Sequence, residues 1–583
     1  MPTVKYGHDS IRNLLSNFGI DYDPILWEAQ LSDIGCVVEE ADDEGIEIEV
    51  FPDRSDLLSV ETMARAARAF LYSDITPPQL KVETGTIEMD VDASLSSIRP
   101  VILGAIVRNV NTGNTDDERN EFIQSLMDHQ EKLHLTLGRK RRLASIGVHD
   151  LSTLAPPFKV KAVDRKHRFT PLAMETDMSI QEILDSHPKG TEYAHLLEGM
   201  EFVPVIEDAV GRVLSFPPII NGSHTTVTEE TTDFMIDVTG WDERACEASL
   251  LLVCLSLAER GGKVESMKIN SVNGNDLIVP NGQARTHILP ERLLERILGG
   301  KIESDVIRSA LERMGGRLVE TRTATDGPRK SSRWADASVG EKIHVIEMPR
   351  WRFDILHPID LVEEIATGIG YESLGESFSS LALEGVPLPR ATLIRRINES
   401  LSSQGIQQVQ SLTLSNDEIQ FERMRWKPLH QVTRIANPIT IEHTILRQNI
   451  LPSLMELLAA NRHHELPQRV QECGEVVRDH HNAWRVAWAC AETNAGFTAA
   501  KGIAQALARD LGARDEISFS PIEDNDGPWI PGRGAKIHIG EIELGSFGEI
   551  DPLVSEKFGL KVPIHAGEFD VRALAEAIPD PLL

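Results

Sequence analysis

Hydrophobic and polar positions along the chain form short blocks, and the period of each block predicts its secondary structure. Helical spacing at residues 11–15 precedes an alternating stretch, 46–51, that is typical of a strand. A turn then opens an alanine-rich helix over residues 60–72. This order predicts a small N-terminal α/β domain over residues 1–90.

The next part of the chain mixes strand-like and helix-like blocks. Helical spacing covers residues 119–135, and a long apolar helix over 243–260 is stopped by Gly261 and Gly262. Strand candidates are 101–107, 201–206, 213–220 and 235–239. The mixture predicts an α/β domain over residues 91–275.

Two further regions complete a multidomain α+β fold. Residues 280–378 contain two short predicted helices and a polar stretch, 321–342, that we expect to be a loop or insertion. Residues 385–583 alternate long helices with strands, among them 486–491 and 536–539. We expect an antiparallel sheet with helices on one face in this last region.

Composition narrows the class of protein. The 583 residues are 41% hydrophobic and 26% charged, which is ordinary for a soluble globular chain. No apolar run reaches the roughly 20 residues that cross a bilayer, and the N-terminus lacks an apolar signal core. The five cysteines are scattered without a CxxC pair, which indicates a reducing compartment. We expect a cytoplasmic protein with no membrane association.

The net charge of the chain does not decide whether it binds nucleic acid. The net charge of −31 argues against nucleic-acid binding, because phosphate contacts need local lysine and arginine. Two basic clusters, residues 138–142 and 159–168, are nevertheless candidate RNA contacts. Solvated loops produce the same pattern.

Four carboxylates lie within eleven residues. Pro358 suits the first turn of a helix, where Asp360, Glu363 and Glu364 follow at helical spacing with Asp354 just upstream. Oxygen ligands in such a group suit Mg²⁺. The alternative needs no metal, because acidic residues in a first turn also offset the helix dipole.

A second candidate site combines a rigid rim with a polar strand. Pro217 and Pro218 separate Ser215 from Asn221, and Asp237 and Thr239 alternate with apolar neighbours so that both face one side of a strand. These four residues predict a small-ligand pocket. The alternative is an edge strand with a solvated face. No Ser–His–Asp relay is evident, because Ser215 has no histidine shortly before it.

Several segments in order resemble one family, the phenylalanine–tRNA ligase beta subunits of the archaeal/eukaryotic type. The residues that carry the resemblance are DRSDLLSVE at 53–61, QEKLH at 130–134, GVHD at 147–150, HPKG at 187–190, SFPPIING at 215–222, RQNILP at 447–452 and FGEI at 547–550. Ser55 and Thr62 depart from the family's usual proline and glycine.

The resemblance implies a role for each domain. Residues 91–275 are expected to be an editing domain, 280–378 a winged-helix-like module, and 385–583 a degenerate class II synthetase-like core. Ligation, with ATP as a substrate, is expected in an alpha subunit, so this chain has no catalytic residue for it. The implied assembly is two alpha and two beta subunits with tRNA(Phe). Asp354, Asp360, Glu363 and Glu364 match a Mg²⁺ site shared with the alpha subunit.

The implied editing activity has a physical reason. An apolar pocket rejects an added hydroxyl by only about a hundredfold, so a phenylalanine site also accepts some tyrosine. Ser215, Asn221, Asp237 and Thr239 are the candidates for a hydrolytic site that recognises that hydroxyl. One alternative is a noncatalytic RNA-binding scaffold with an inactive pocket. Another, a free-standing metallohydrolase, leaves the other motifs unexplained.

Overall fold

The fold is taken from a computed structural model that describes residues 2–271, 276–325, 327, 335–375, 385–513, 516–523 and 527–578. It consists of two compact units, Met1–Phe378 and Ser379–Leu583. Each unit is built around its own sheets. Among the described residues, no helix is both long and apolar enough to cross a membrane.

The first unit begins with a three-stranded antiparallel sheet in the order β1-β3-β2. Ile46, Ile48 and Val50 alternate into its core, as the predicted strand requires. The predicted helix over residues 60–72 is confirmed. The elements are β1 Thr3–Gly7, α1 His8–Ser16, α2 Pro24–Gln30, β2 Cys36–Ala41, β3 Gly45–Val50 and α3 Val60–Tyr72.

A large mixed sheet of eleven described strands follows. Its main path is β13-β12-β11-β8-β5-β15-β6-β14-β7, and β4 and β16 also pair with β15. The strands are β4 Val82–Glu83, β5 Glu88–Val91, β6 Val101–Arg108, β7 Ala144–Asp150, β8 Phe158–Asp164, the separate pair β9 Arg168–Phe169 and β10 Met178–Ser179, β11 Phe202–Glu207, β12 Val213–Phe216, β13 Ile220–Asn221, β14 Phe234–Gly240, β15 Lys263–Ser271 and β16 Leu277–Val279. The helices are α4 Asp116–Leu135, α5 Ile180–Ser186, α6 Pro188–Tyr193 and α7 Glu243–Glu259.

Strand β14 lies inside this sheet. It pairs with β6 on one side and β7 on the other, and all seven of its residues are buried. The alternative of an edge strand with a solvated face is therefore wrong for this segment. Strand β4 and all but the last residue of β5 precede residue 91, yet both strands join the same sheet through β15, across the predicted domain boundary.

A winged-helix-like module ends the first unit. Three antiparallel strands in the order β17-β19-β18 pack with three helices. The elements are β17 Arg285–Pro290, α8 Glu291–Leu298, α9 Ser304–Arg313, β18 Arg317–Thr323, β19 Lys342–Met348 and α10 Pro358–Ile369. The predicted polar stretch 321–342 joins β18 to β19, and its residues 326 and 328–334 lie outside the described residues.

The second unit is a seven-stranded sheet in the order β20-β23-β24-β28-β27-β26-β25, antiparallel except between β20 and β23. Its strands, with the short pair β21 and β22, are β20 Gln407–Gln408, β21 Leu414–Ser415, β22 Ile445–Leu446, β23 Gln468–Arg478, β24 His481–Ala491, β25 Ile517–Pro521, β26 Trp529–Ile539, β27 Ile542–Ile550 and β28 Ile564–Asp570. The helices are α11 Pro389–Ser403, α12 Leu451–Ala460, α13 Phe497–Asp510, α14 Pro552–Lys557 and α15 Val571–Ala577.

Helices cover both faces of this sheet, so the expectation of helices on one face is wrong. Val486, Trp488 and Cys490 of β24 pack with α11, α13 and α15. The alternate residues, among them Ala487 and Ala489, pack with α12 and α14. Both sets on β24 are apolar, and a strand of that pattern is stable only when both faces are covered.

Candidate functional site

A cavity of about 260 Å³ opens between helix α4, strands β7 and β14, and the β12–β13 hairpin. Its walls are largely apolar and include Ile123, Met127, Val148 and Phe216. Ten of its 22 lining residues are polar or charged, among them Glu131, Arg141, Ser145 and Lys189. A small apolar pocket with convergent polar groups is typical of a specific ligand site.

Three of the four predicted pocket residues line this cavity, namely Ser215, Asn221 and Asp237. Ser215 and Asn221 lie opposite each other across the β12–β13 hairpin, which the two prolines close. The Asn221 side-chain amide donates to the Val148 carbonyl at 3.4 Å, so it also links the hairpin to β7. The rim that the sequence predicts is therefore present.

Thr239 is on the same strand as Asp237 but does not line the cavity. Its hydroxyl oxygen accepts from Arg99 Nε at 2.7 Å and lies 3.1 Å from the Ser145 hydroxyl. Arg99 also donates to the Thr239 carbonyl at 2.8 Å. Burial lowers the pKa of Arg99 to about 10, although the nearby Cys246 and Asp237 act to raise it. Thr239 thus holds Arg99 next to Ser145, which does line the cavity.

His149 is the residue that the sequence reasoning missed. Its Nε2 lies 2.7 Å from Asp237 Oδ1, and its Nδ1 lies 2.9 Å from the Thr225 hydroxyl. All three residues are at most 1% exposed. Asp237, His149 and Thr225 therefore form a hydrogen-bonded chain that the sequence did not reveal and that does not include Ser215. The only sequence signal was the GVHD segment, which served there as a family marker.

Gly147 makes room for this arrangement. It pairs with Asp237 across β7 and β14, and a Cβ at this position would lie 2.3 Å from Asp237 Oδ1 and 2.7 Å from His149 Nε2. Both distances are shorter than any tolerated contact. A residue without a side chain is required for the histidine and the carboxylate to meet beneath it.

The cavity mouth is basic. Arg141, at φ 65°, stacks 4.4 Å from the Tyr193 ring centroid and donates to the Ile219 carbonyl at 2.9 Å. It also pairs with Glu131 at 2.5 Å. Although burial opposes it, the hydrogen bond from His134 and the charge of Arg141 lower the pKa of Glu131 to about 2. The neighbouring Arg139 and Lys140 are exposed on the same turn, which follows α4.

The four predicted metal ligands around α10 are arranged differently. Arg352 donates to both oxygens of Asp354, at 2.9 and 2.5 Å, and to both oxygens of Glu364, at 2.6 and 2.8 Å. Although burial opposes it, the charges of these two carboxylates hold the pKa of Arg352 well above its usual value. Asp354 and Glu364 therefore already share a cation that belongs to the chain.

The other two predicted ligands have separate surroundings. Asp360 Oδ2 accepts from the backbone N–H groups of Leu356 and His357, at 2.7 and 2.6 Å, as part of a helix cap. Glu363 is exposed, and partial burial together with the charges of Glu364 and Asp53 raises its pKa. Among the described residues, Asp360 is held by backbone donors without a cation, and Glu363 has neither a hydrogen bond nor an ion pair.

This arrangement does not form a metal cage within the chain. Across the described ranges, no group of three or more His, Cys, Asp or Glu side chains is placed to hold a metal ion. Two of the four predicted carboxylates have all their oxygens occupied by Arg352. The fit to Mg²⁺ is therefore poor for this chain by itself.

Comparisons with known proteins match three separate parts of the chain to family models. A family model described as "B3/4 domain" matches residues 98–255, and one described as "tRNA synthetase B5 domain" matches 289–371. A third, "Phenylalanyl tRNA synthetase beta chain CLM domain", matches 376–571. The fold and these matches define a subunit of an aminoacyl-tRNA synthetase.

Full-length relatives specify the family. The chain is 37% identical to the phenylalanine–tRNA ligase beta subunit of Methanosarcina barkeri, covering 98% of this chain and 99% of the relative. It is 37% identical to that of Archaeoglobus fulgidus, with 98% of each chain covered. The chain therefore belongs to the phenylalanine–tRNA ligase beta subunit family, and the predicted resemblance is confirmed.

A solved structure supports the architecture of the first unit. An N-terminal fragment of the phenylalanyl-tRNA synthetase beta subunit from Pyrococcus horikoshii matches with a TM-score of 0.55 and 28% identity. The match covers 64% of this chain and all of the fragment. The predicted multidomain α+β fold class is confirmed.

Proposed function

We propose that this chain works with an alpha subunit to attach phenylalanine to tRNA(Phe), and that its cavity removes tyrosine from mischarged tRNA. The observation that carries the editing proposal is the carboxylate of Asp237. It sits in the wall of an apolar cavity, and within the described part of the chain its Oδ2 has no hydrogen-bond partner. An aromatic side chain with a terminal hydroxyl would satisfy that oxygen.

Selection follows from what phenylalanine lacks. A buried acceptor that receives no donor loses its hydration without compensation, at a cost of about 1–3 kcal/mol or more for a charged group. Tyrosine supplies the missing donor, whereas phenylalanine does not. The site therefore favours the residue that the ligation site rejects only weakly.

The mouth of the cavity suits the acceptor end of a tRNA. Arg141 and Lys189 line it, and Arg139 and Lys140 extend the positive charge onto the surface. Such cations attract phosphates without reading sequence. Ser215 and Asn221 flank the hairpin turn whose Ile219 carbonyl Arg141 contacts, and we assign them to orient the ester bond and the water that hydrolyses it.

The finer assignments are also proposals. Two alpha and two beta subunits, ATP as substrate of the holoenzyme and a cytoplasmic location are expected from the family, and all five cysteines are free, as a reducing compartment requires. The domain limits 1–90, 91–275, 280–378 and 385–583 stay predictions. So does the absence of a ligation centre in this chain.

Magnesium binding by Asp354, Asp360, Glu363 and Glu364 also stays a prediction. Because Arg352 occupies two of these groups, the open carboxylate that favours a cation is Glu363. Melting of the alpha–beta complex with Mg²⁺ and with EDTA tests this assignment. A Mg²⁺-dependent rise in Tm that survives Glu363→Gln and Asp360→Ala would contradict it.

The editing proposal is tested by assaying the chain with and without its alpha partner. We expect no charging of tRNA(Phe) by this chain alone, charging by the complex, and deacylation of tyrosyl-tRNA(Phe) by the complex. Asp237→Ala should lower deacylation while leaving charging intact. A wild-type complex that charges but never deacylates would favour the inactive-pocket scaffold instead.

A further inference from the structure

We propose that His149 is a positioning residue that determines the preference of the pocket for tyrosine. It acts by fixing the Asp237 carboxylate with one oxygen bound and the other open to the cavity. The inference rests on the proposed editing function and adds a residue that does not itself line the cavity.

The geometry requires a proton on one ring nitrogen of His149. The Asp237 carboxylate accepts only, so the Nε2 atom 2.7 Å from its Oδ1 is the donor. The Nδ1 atom lies 2.9 Å from the Thr225 hydroxyl, which can accept from it or donate to it. Because the Thr225 hydroxyl also lies 3.0 Å from the Gly222 carbonyl, its single proton serves one of these two acceptors, and Nε2 donates to Asp237 in both cases.

The hydrogen bond also fixes how the carboxylate is turned. A buried Asp237 without a partner on Oδ1 would be free to rotate about its Cβ–Cγ bond, which would remove a defined acceptor from the cavity. With Oδ1 held by His149, Oδ2 keeps one position. That oxygen is the group that distinguishes tyrosine from phenylalanine.

The alternative role for this relay is nucleophilic catalysis by Thr225. The Asp237–His149–Thr225 order resembles a hydrolase triad. Thr225 lines the cavity and is as buried as Asp237, so burial does not separate the two roles. Its hydroxyl also donates to the Gly222 carbonyl at 3.0 Å. A nucleophile must direct its proton at the histidine, so the competing bond to Gly222 favours positioning over catalysis.

Two amide substitutions separate the two nitrogens of the ring. In His149→Gln the side-chain nitrogen reaches the position of Nε2 and can still donate to Asp237. In His149→Asn the shorter amide reaches only the position of Nδ1, so it can contact Thr225 but not Asp237. Both variants are polar and both lose the ring, so their packing defects are similar. A difference in tyrosine preference between the two variants therefore measures the effect of the hydrogen bond to Asp237.

The experiment measures binding of two non-hydrolysable probes to the alpha–beta complex by calorimetry. The probes are 3′-amide analogues of tyrosyl-adenosine and phenylalanyl-adenosine, and deacylation of tyrosyl-tRNA(Phe) is measured in parallel. We expect wild type to prefer the tyrosyl probe. His149→Asn should lower that preference about tenfold or more, and His149→Gln should keep most of it. Retained charging of tRNA(Phe) shows that the complex is folded.

A buried histidine outside the cavity provides the matched control. His129 lies on α4 and has no hydrogen-bond partner among the described residues, so His129→Asn should perturb packing but leave the preference unchanged.

Three results would overturn the inference. Wild-type preference in both His149 variants would do so, and so would an equal loss of affinity for both probes, which indicates a purely structural role. A wild-type complex with no preference would overturn both this inference and the selection argument. Preference without deacylation would instead contradict only the hydrolytic activity.

Discussion

Two regions of the first unit each present carboxylates that the sequence marks as ligand groups, and they differ in how many carboxylate oxygens remain open. At α10, Arg352 occupies both oxygens of Asp354 and both oxygens of Glu364. In the cavity, His149 occupies one oxygen of Asp237 and leaves the other without a partner in the described residues. The first arrangement is closed and the second is open.

The difference teaches that a carboxylate becomes a binding group through the partner it has, more than through its spacing in sequence. A guanidinium donates from several nitrogens and can hydrogen-bond two carboxylates at once. The ring nitrogen of an imidazole donates a single hydrogen bond and leaves the second carboxylate oxygen free. The predictions below test whether the α10 site is structural and the cavity site functional.

Removing the cation at the closed site should have the largest effect. In Arg352→Met, the buried Glu364 and the largely buried Asp354 lose their shared partner, and breaking a buried ion pair costs about 3–5 kcal/mol. Chemical unfolding of the chain measures the loss. The control is Arg317→Met, because Arg317 is half exposed in its pair with Glu347 and should cost at most about 1 kcal/mol. Equal losses in the two variants would contradict the closed arrangement.

Two buried histidines also differ in their hydrogen-bond partners. His149 has partners, and His129 has none among the described residues. Burial lowers the pKa of His129 from 6.5 to about 4, with a smaller opposing effect of Glu61. The unfolded chain therefore binds a proton first as pH falls from 6.5 to 4, and stability decreases across that range. The loss is at most about 3 kcal/mol.

Urea unfolding of wild type and His129→Gln at pH 7.5 and pH 5 isolates this contribution. We expect the variant to lose less stability on acidification than wild type, because glutamine does not titrate. An identical pH dependence in both proteins would show that His129 has a partner in solution.

Within the open site, Thr239 and Ser215 should behave differently although the sequence places them in one pocket. Thr239→Val leaves the Arg99 donor buried and unpaired, so it should lower the free energy of unfolding by about 1–3 kcal/mol. Ser215→Ala should leave stability nearly unchanged and lower deacylation of tyrosyl-tRNA(Phe). Thermal melts and deacylation rates separate the two. A loss of stability confined to Ser215→Ala would reverse the assignment.

The basic turn at the cavity mouth should give the smallest effect. Replacing both Arg139 and Lys140 by alanine removes up to two phosphate contacts. The slope of log affinity for tRNA(Phe) against log salt should then flatten by about 1–2. Replacement of Arg168 and Lys166 tests the second basic cluster in the same assay. An unchanged slope in both double variants would remove these clusters from the tRNA path.

The sequence predicts local periodicity well and long-range pairing poorly. Alternation along residues 235–239 correctly places Asp237 and Thr239 on one face of a strand, because side-chain direction follows from the backbone alone. It does not reveal that Thr239 faces Arg99, 140 residues away in sequence. That contact depends on strand order, which no local pattern encodes.

Two other contacts were not predictable from the sequence for the same reason, because they depend on long-range pairing. His149 meets Asp237 only because β7 pairs with β14 and Gly147 leaves a gap, so neither residue is identifiable as a partner in isolation. The position of Arg352, two residues before Asp354, is visible in the sequence. Its hydrogen bond to Glu364 is not predictable, because it depends on how the chain turns into α10. In the second unit, the apolar run of β24 already indicated two covered faces.

The central claim is that the open oxygen of Asp237 selects tyrosine. Its most direct test is the ratio of kcat/KM for deacylation of tyrosyl-tRNA(Phe) over phenylalanyl-tRNA(Phe), measured for the alpha–beta complex with and without Asp237→Asn. Because an uncharged amide is a weaker acceptor than a carboxylate, the account predicts that the ratio falls about tenfold or more while phenylalanine charging is preserved. An unchanged ratio would contradict it.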